Sequence, residues 1–243
     1  MTKVIINADD FGYCEAVNYG ILSAHKNGIV SSTTMMANMP GVDHGIELLK
    51  ENKTLSCGVH MTLSCGRPVL SNLKTIVDEN GNFFKRITDD VLENMDLDEI
   101  YNEFCAQIDK VKESGIDICH LDSHHHVHTL EKLKPVIERI LRKYDLPIRG
   151  GFEYNIEYKK IVPVIDSFYK DNVSEDYFKN YMDEIKKYEI VDIMSHPAYL
   201  DDFILGSTSY AIDRTKEYKI LTSKEVKNFL EENDMKISSY RDM

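Results

Sequence analysis

No stretch of this 243-residue sequence approaches the roughly 20 consecutive apolar residues that a membrane-spanning helix requires, so no span is expected. The opening apolar run, Val4-Ile5-Ile6, is too short for a signal-peptide core and no cleavage site follows it. The protein is therefore expected in the cytoplasm. Cysteine is scarce: Cys14, Cys57, Cys65, Cys105 and Cys119 are an odd set with no Cys-x-x-Cys pair. That argues against a disulfide framework and against a zinc ribbon. Basic residues are outnumbered, 29 against 41, for a formal net charge of −12. Such a surface repels phosphate backbones, so nucleic acid is not expected as a partner. A neutral or singly phosphorylated sugar in a local pocket is not excluded. Neither Gly-x-Gly-x-x-Gly nor Gly-x-x-x-x-Gly-Lys occurs, so nucleotide binding has no motif to rest on. Repeats, low-complexity tracts and Pro/Gly-rich linkers are missing too, and residues 1–243 are expected to form one domain.

What is concentrated is histidine. Five of the nine fall between His120 and His128, in the run His-Leu-Asp-Ser-His-His-His-Val-His. Ile116-Asp117-Ile118-Cys119 ahead of it reads as a short strand, and the sequence from Leu130 reads as a helix. Imidazoles and a carboxylate at a strand-to-helix junction point to a metal site or an acid–base site.

The rest of the chain alternates in the same way. The unbroken Val4-Ile5-Ile6, in a strand from Lys3 to Ala8, suits a strand buried on both faces of a parallel sheet. Val17, Ile21 and Leu22 recur at helical spacing up to Asn27-Gly28, a helix stop. Further strands are predicted over 29–36, 55–59, 147–150, 190–194 and 237–238, and helices over 42–50, 97–112, 130–144, 177–188 and after Ser223. The helix at 97–112 is the clearest, with Leu97, Ile100, Tyr101, Phe104, Cys105, Ile108 and Val111 on one face. Residues 152–170 fit either state. Thr62 to Phe84 is a long connection, of the kind that often forms a binding element. The alternation gives an α/β class with a parallel sheet. About seven βα units suit a single-domain, irregular, TIM-barrel-like (β/α) barrel better than an open doubly wound sheet.

Four polar clusters stand at predicted strand C-termini: Asp9-Asp10, His60, Asp122 to His128, and Ser195-His196. A β/α barrel brings these ends to one face. One Asp and two His can hold a divalent cation with an open position for water; a second Asp can take a proton from that water, and a His can protonate a leaving group. Asp9 and Asp10 point to opposite sides if the strand continues through them, whereas at a strand end both can face the cavity. Their rival role is to cap the helix near Glu15. If the strand persists, His124 and His126 share a face and His125 opposes them. His25 and His44 lie in helix-like stretches and read as structural.

Together, Asn7-Ala8-Asp9-Asp10-Phe11-Gly12, Gly58-Val59-His60, the run from His120 to His128, and Ser195-His196-Pro197-Ala198-Tyr199 resemble the YdjC-like carbohydrate deacetylases, among them the chitooligosaccharide deacetylases. The motifs occur in that family's order from residue 5 to about 200; the last forty residues add little. The resemblance implies a distorted β/α barrel related to polysaccharide deacetylases and a metal-dependent hydrolysis of N-acetyl groups on mono- or oligosaccharides. It implies Asp10, His60 and His124 as ligands of a divalent cation, Mg²⁺ favoured and Zn²⁺ the alternative. Asp9 would be the general base and His196 the general acid or an oxyanion stabiliser. His126 and Asp122 would hold substrate or support the ligands. A homodimer is implied on the same grounds. The alternatives are another metal-dependent amidohydrolase or phosphoesterase, or a non-catalytic sugar-binding relative.

Overall fold

The structure, a computed structural model, describes residues 1–243. In chain order it comprises β1 (Thr2–Phe11), α1 (Glu15–Asn27), β2 (Ser32–Met35), α2 (Val42–Glu51), β3 (Ser56–Met61), α3 (Asp89–Glu93), α4 (Leu97–Glu113), β4 (Ile118–Ser123), α5 (Lys134–Tyr144), β5 (Ile148–Arg149), β6 (Ile161–Val162), β7 (Val164–Ile165), α6 (Tyr177–Asn180), α7 (Met182–Ile185), β8 (Ile190–Ser195), α8 (Asp202–Ser207), α9 (Ile212–Leu221), α10 (Lys224–Glu232) and β9 (Met235–Ser238). Every strand pairing is parallel, and the strands follow one another as β6-β5-β4-β3-β2-β1-β8-β7.

Closure comes from one short segment. β6 and β7 are a single stretch divided by Pro163, which has no N–H to give a ladder. The stretch changes neighbour there. The Gly150 N–H donates to the Val162 carbonyl (2.7 Å) on one side, and the Asp192 N–H donates to the Pro163 carbonyl (2.8 Å) on the other. The two ends of the sheet thus meet, and the architecture is a barrel, not an open sheet. This is the ambiguous region at 152–170, too short in each strand to show a period.

β1 serves three partners. β8 pairs along Lys3–Ala8 on one edge. The other edge is shared by β9, against Thr2–Ile5, and β2, against Asn7–Phe11. The predicted continuous burial of β1 follows, since barrel interior and helices cover its two faces. One hydrophobic cluster of 55 buried residues runs from Val4 to Met235, so the strands and the surrounding helices share a single core.

The bore itself is polar. His120 Nε2 donates to Asn7 Oδ1 (3.1 Å), and the ring stacks on Tyr240, centroids 3.6 Å apart. The Tyr240 hydroxyl donates to Asp192 Oδ2 (2.6 Å). A Cβ at position 58 would lie 2.6 Å from the His120 ring, which is why glycine stands in β3 at that point.

Several predicted bounds shift. The strand at 116–119 begins two residues later and runs through His120 and Asp122 to Ser123. The helix at 130–144 opens with a 3-10 turn, Glu131–Leu133, before α5. The helix at 177–188 is two short helices broken at Tyr181, whose φ −101°, ψ 8° leaves the helical region. α9 was not foreseen because its buried face is Arg214, Glu217, Ile220 and Leu221, half of it charged, so no apolar stripe announces it.

One face of α4 also ties down the long connection after β3. Glu103 accepts from the Val69 and Leu70 N–H groups (2.8 and 2.9 Å). Gln107 exchanges two bonds with Thr62 (2.7 and 2.8 Å), and Glu99 accepts from the Lys74 and Thr75 N–H groups.

Candidate active site

A cleft of about 860 Å³ opens at the C-terminal rim of the barrel strands. That size is ample for a small-molecule ligand. Asp9, Asp10, His60, His124, His126 and His196 all line it.

Asp9 and Asp10 are both brought to the cleft, by an irregularity in β1. The register with β2 shifts between Ala8 and Phe11, and Asp10 takes a left-handed φ of 72°. Such a bulge re-aims a side chain. Neither residue caps α1, whose N-cap is Cys14. Asp10 Oδ1 lies 3.0 Å from His124 Nδ1 and 3.4 Å from His60 Nε2, and Asp10 Oδ2 accepts from Arg214 Nη2 (2.6 Å). Burial works against its charge, but Arg214 and His124 outweigh it and hold its carboxyl well below the usual carboxylate range. Asp9 accepts two bonds from Arg149 (2.6 and 2.7 Å) and one from Asn7 Nδ2 (2.8 Å). Its carboxyl is also lowered, Arg149 prevailing over burial.

His60 has a carboxylate on each side of its ring. Asp122 Oδ1 meets Nδ1 at 2.7 Å, while Nε2 faces Asp10. Burial opposes its protonation, yet Asp122, Asp10 and Asp9 together raise its pKa to about 10. Asp122 itself is steadied by Thr34 Oγ1 (2.9 Å) and Arg149 (3.0 Å).

The histidine run does not continue as a strand. β4 ends at Ser123, and His125 and His126 are both left-handed, with φ 54° each. The parity argument therefore fails: His124, His125 and His126 all line the cleft. His124 faces Asp10, His125 Nδ1 pairs with Ser64 Oγ (2.9 Å), and His126 Nε2 lies 3.2 Å from Met194 Sδ. His128 turns inward, with Nδ1 on Ser123 Oγ (2.5 Å) and Nε2 on the Arg149 carbonyl (3.1 Å). These bonds hold the turn closed. His120 lies in the bore, as described above. His25 and His44 are outside the cleft; His25 bonds the Val30 carbonyl and Thr54.

His196 stands apart from the Asp10 cluster. Its backbone N–H donates to Glu217, which also accepts from the Tyr210 hydroxyl. Glu217 Oε1 lies 3.7 Å from His196 Nδ1, and Tyr169 and Tyr210 flank the ring.

Asp10 Oδ1, His60 Nε2 and His124 Nδ1 lie within 4.8 Å of one another. The partner atoms of two of them are already engaged: Asp10 Oδ2 by Arg214 and His60 Nδ1 by Asp122. The remaining atoms converge, and one carboxylate plus two imidazoles, that of His60 backed by Asp122, is a donor set that fits a divalent cation. Asp9, His60 and Asp122 form a second acidic group. There Arg149 already supplies the positive charge.

Sequence reasoning missed Arg149, Asp192, Arg214, Glu217 and Tyr210. Arg149 bridges three carboxylates, Asp9, Asp122 and Asp192, while fully buried. An arginine inside the apolar strand candidate 147–150 was the available signal, because a buried guanidinium demands carboxylates. Arg214 and Glu217 fall in the region beyond residue 200 that carried little of the resemblance, so that region contributes to the site.

The fold is a parallel barrel of the type also found in polysaccharide deacetylases. The fold recurs in the CE4 domain of a multidomain xylanase from the hindgut metagenome of Trinervitermes trinervoides, with TM-score 0.54, 10% identity, and coverage of 100% of this chain and 89% of that one. It recurs too in a peptidoglycan deacetylase of Bacillus subtilis, with TM-score 0.52 and 11% identity over 99% and 89% of the two chains. More narrowly, the chain belongs to the YdjC-like protein family, whose model matches residues 3–232. It is 40% identical to a carbohydrate deacetylase of Clostridium beijerinckii over 99% of this chain and 100% of that one. It is 42% identical to one of Halalkalibacterium halodurans over 90% and 95%. A crystal structure from Enterococcus faecalis V583, described as a candidate cellobiose-phosphate cleavage protein, superposes with TM-score 0.91 at 35% identity, over 99% and 98% of the two chains.

Proposed function

We propose that this chain is a divalent-metal-dependent carbohydrate deacetylase. It hydrolyses the N-acetyl group of an acetylated mono- or oligosaccharide, such as a chitooligosaccharide, and releases acetate. The convergence of Asp10 Oδ1, His60 Nε2 and His124 Nδ1, in a cleft that also holds Asp9 and His196, carries this reading. Relatives named carbohydrate deacetylase that span nearly the whole chain support the substrate class.

A bound divalent cation would polarise the amide carbonyl and acidify an attacking water. Asp10, His60 and His124 would hold it. Arg214 occupies Asp10 Oδ2 and so leaves Oδ1 to face the imidazoles. Asp9, ionised and oriented by Arg149 and Asn7, accepts the water's proton. His196 gives a proton to the departing amine or bonds the oxyanion, with Glu217 Oε1 standing 3.7 Å from its Nδ1. Asp122 acts through His60, and His126 offers its ring to substrate from the cleft wall. Mg²⁺ is the proposed ion on the family resemblance; two imidazole donors make Zn²⁺ the alternative. The lack of any disulfide among the five cysteines suits the proposed cytoplasmic location. The homodimer rests on the resemblance, with gel filtration as its check.

Two other chemistries fit less well. A glycoside hydrolase needs one carboxyl kept protonated, whereas Asp9 and Asp10 are both held ionised by arginines. A two-metal phosphoesterase needs a second cation, where Arg149 already stands. Acetate release from N-acetylated sugars and their phosphates, with and without chelator, tests the proposal. Release that chelation abolishes and metal restores is expected; none from metal-loaded protein on any of these sugars would overturn it.

A further inference from the structure

The cleft extends away from the Asp10 cluster toward α8, and its wall there has two unexplained features. Phe203 is 43% exposed although it lines the cleft. Gly206, one helical turn on and therefore on the same face, lines it too. Nothing in the packing requires that glycine: a Cβ built on it meets no atom within 4 Å, and its φ is not left-handed. Glycine inside a helix costs stability relative to alanine. The pair thus leaves an open notch edged by an aromatic ring.

The notch is held firmly. Ile204, between the two, is fully buried and anchors α8 in the core, and Asp201 caps the helix by accepting from the Ile204 N–H (2.8 Å). The Tyr13 hydroxyl donates to Ser207 Oγ (2.9 Å), and the Phe203 ring stands edge-on to the Tyr13 ring at 5.8 Å. Tyr13 in turn lies beside Arg214, the partner of Asp10. The aromatic edge is therefore two side chains, Tyr13 and Arg214, removed from Asp10 at the reacting end of the cleft.

We propose that Phe203 and the gap over Gly206 form a subsite for a second pyranose ring, adjoining the one that carries the reacting acetamido group. The C–H face of a pyranose is apolar with a positive edge, and it stacks on the negative face of an aromatic ring. The substrate selected would be a disaccharide or longer, with the non-reacting ring bound by stacking. This inference rests on the deacetylase reading for the reacting end of the ligand, and its test separates the two.

Acetate release is measured on N-acetylglucosamine and N,N′-diacetylchitobiose. The wild type is expected to prefer the disaccharide in kcat/KM. Phe203→Ala is expected to cut that preference about tenfold, mainly through KM, and Phe203→Tyr to keep it. Gly206→Leu, which fills the notch and leaves Phe203 in place, is expected to cut it as well. No wild-type preference, or equal losses on both sugars, would overturn the subsite. So would a change of oligomeric mass in Phe203→Ala with the preference intact, which would make Phe203 a contact between copies. The chain has no tryptophan, so Phe203→Trp places a lone indole in the notch. Its emission should respond to the disaccharide and not to the monosaccharide, whether or not either sugar turns over. A response without turnover supports the subsite while refuting the deacetylase; turnover without a response overturns the subsite alone.

Discussion

Asp9 and Asp10 are adjacent, identical in type, and held by different arginines. Arg214 leaves one oxygen of Asp10 facing His60 and His124, whereas Arg149 occupies both oxygens of Asp9. His60→Ala and His124→Ala should each abolish stoichiometric metal binding, measured by elemental analysis after dialysis. Asp9→Asn should keep the metal and lose turnover. Loss of metal in Asp9→Asn but not in Asp10→Asn would exchange their roles. Removing Arg149 strands three buried carboxylates, so Arg149→Met should cost about 3–5 kcal/mol. At roughly 2–4 °C per kcal/mol for a chain of this size, calorimetry should record a clear drop in Tm. At this scale the sequence was readable where a residue ends a strand, as His60 does. It was opaque for the pairs Arg149–Asp9 and Arg214–Asp10, whose members lie 140 and 204 positions apart.

At the scale of elements, α4 shows how one helix was half legible. Its apolar face was plain from spacing. Spacing says nothing of the acidic residues beside it, yet Glu103 is fully buried and, with Glu99 and Gln107, binds the backbone of the connection that forms a cleft wall. Glu103→Ala would leave the Val69 and Leu70 N–H groups without partners, a loss of about 1–3 kcal/mol. Limited proteolysis should then cut between residues 66 and 84 faster than in the wild type, and KM should rise more than kcat falls. The histidine turn teaches the complementary lesson. Its composition advertised a site, but two consecutive left-handed residues undid the alternation on which side-chain direction had been argued.

For the molecule as a whole, the buried ring nitrogens set the response to acid. Burial lowers the pKa of His120 and of His128 to about 3 in the fold, against about 6.5 in the unfolded chain. Between these values the unfolded state binds more protons, so stability is level above about pH 6.5 and falls as pH drops toward 3. Each histidine contributes a slope of up to about 1.4 kcal/mol per pH unit. Asp192, raised to about 6 mainly by burial, acts in the opposite sense, losing stability as pH rises from about 4 to 6. His125, lowered to about 4, adds to this slope, whereas His60, raised to about 10, opposes it only above about pH 6.5, so three histidines against one carboxyl leave the net slope below that pH toward acid lability. Urea unfolding at pH 7.5 and 5.0 should give a lower midpoint at the acid value; an equal or higher one would contradict the assignment. The barrel class could be read from the alternation of strand and helix. Its closure could not, because it depends on two-residue strands either side of Pro163.

β1 shares one edge between β2 and β9, and the bore beneath it is stoppered by Tyr240. Consider that arrangement on the ribosome. By the time residue 200 has been added, all four motifs have been synthesised. The guanidinium that neutralises Asp10, the carboxylate behind His196 and the phenol that meets Asp192 have not. Burying those groups before their partners exist would carry the full desolvation penalty. The emerging chain therefore holds the recognisable residues without the means to enclose them. Completion of the site is an event after translation of the motifs, and a fragment that keeps every signature residue but stops short of α9 should be inert.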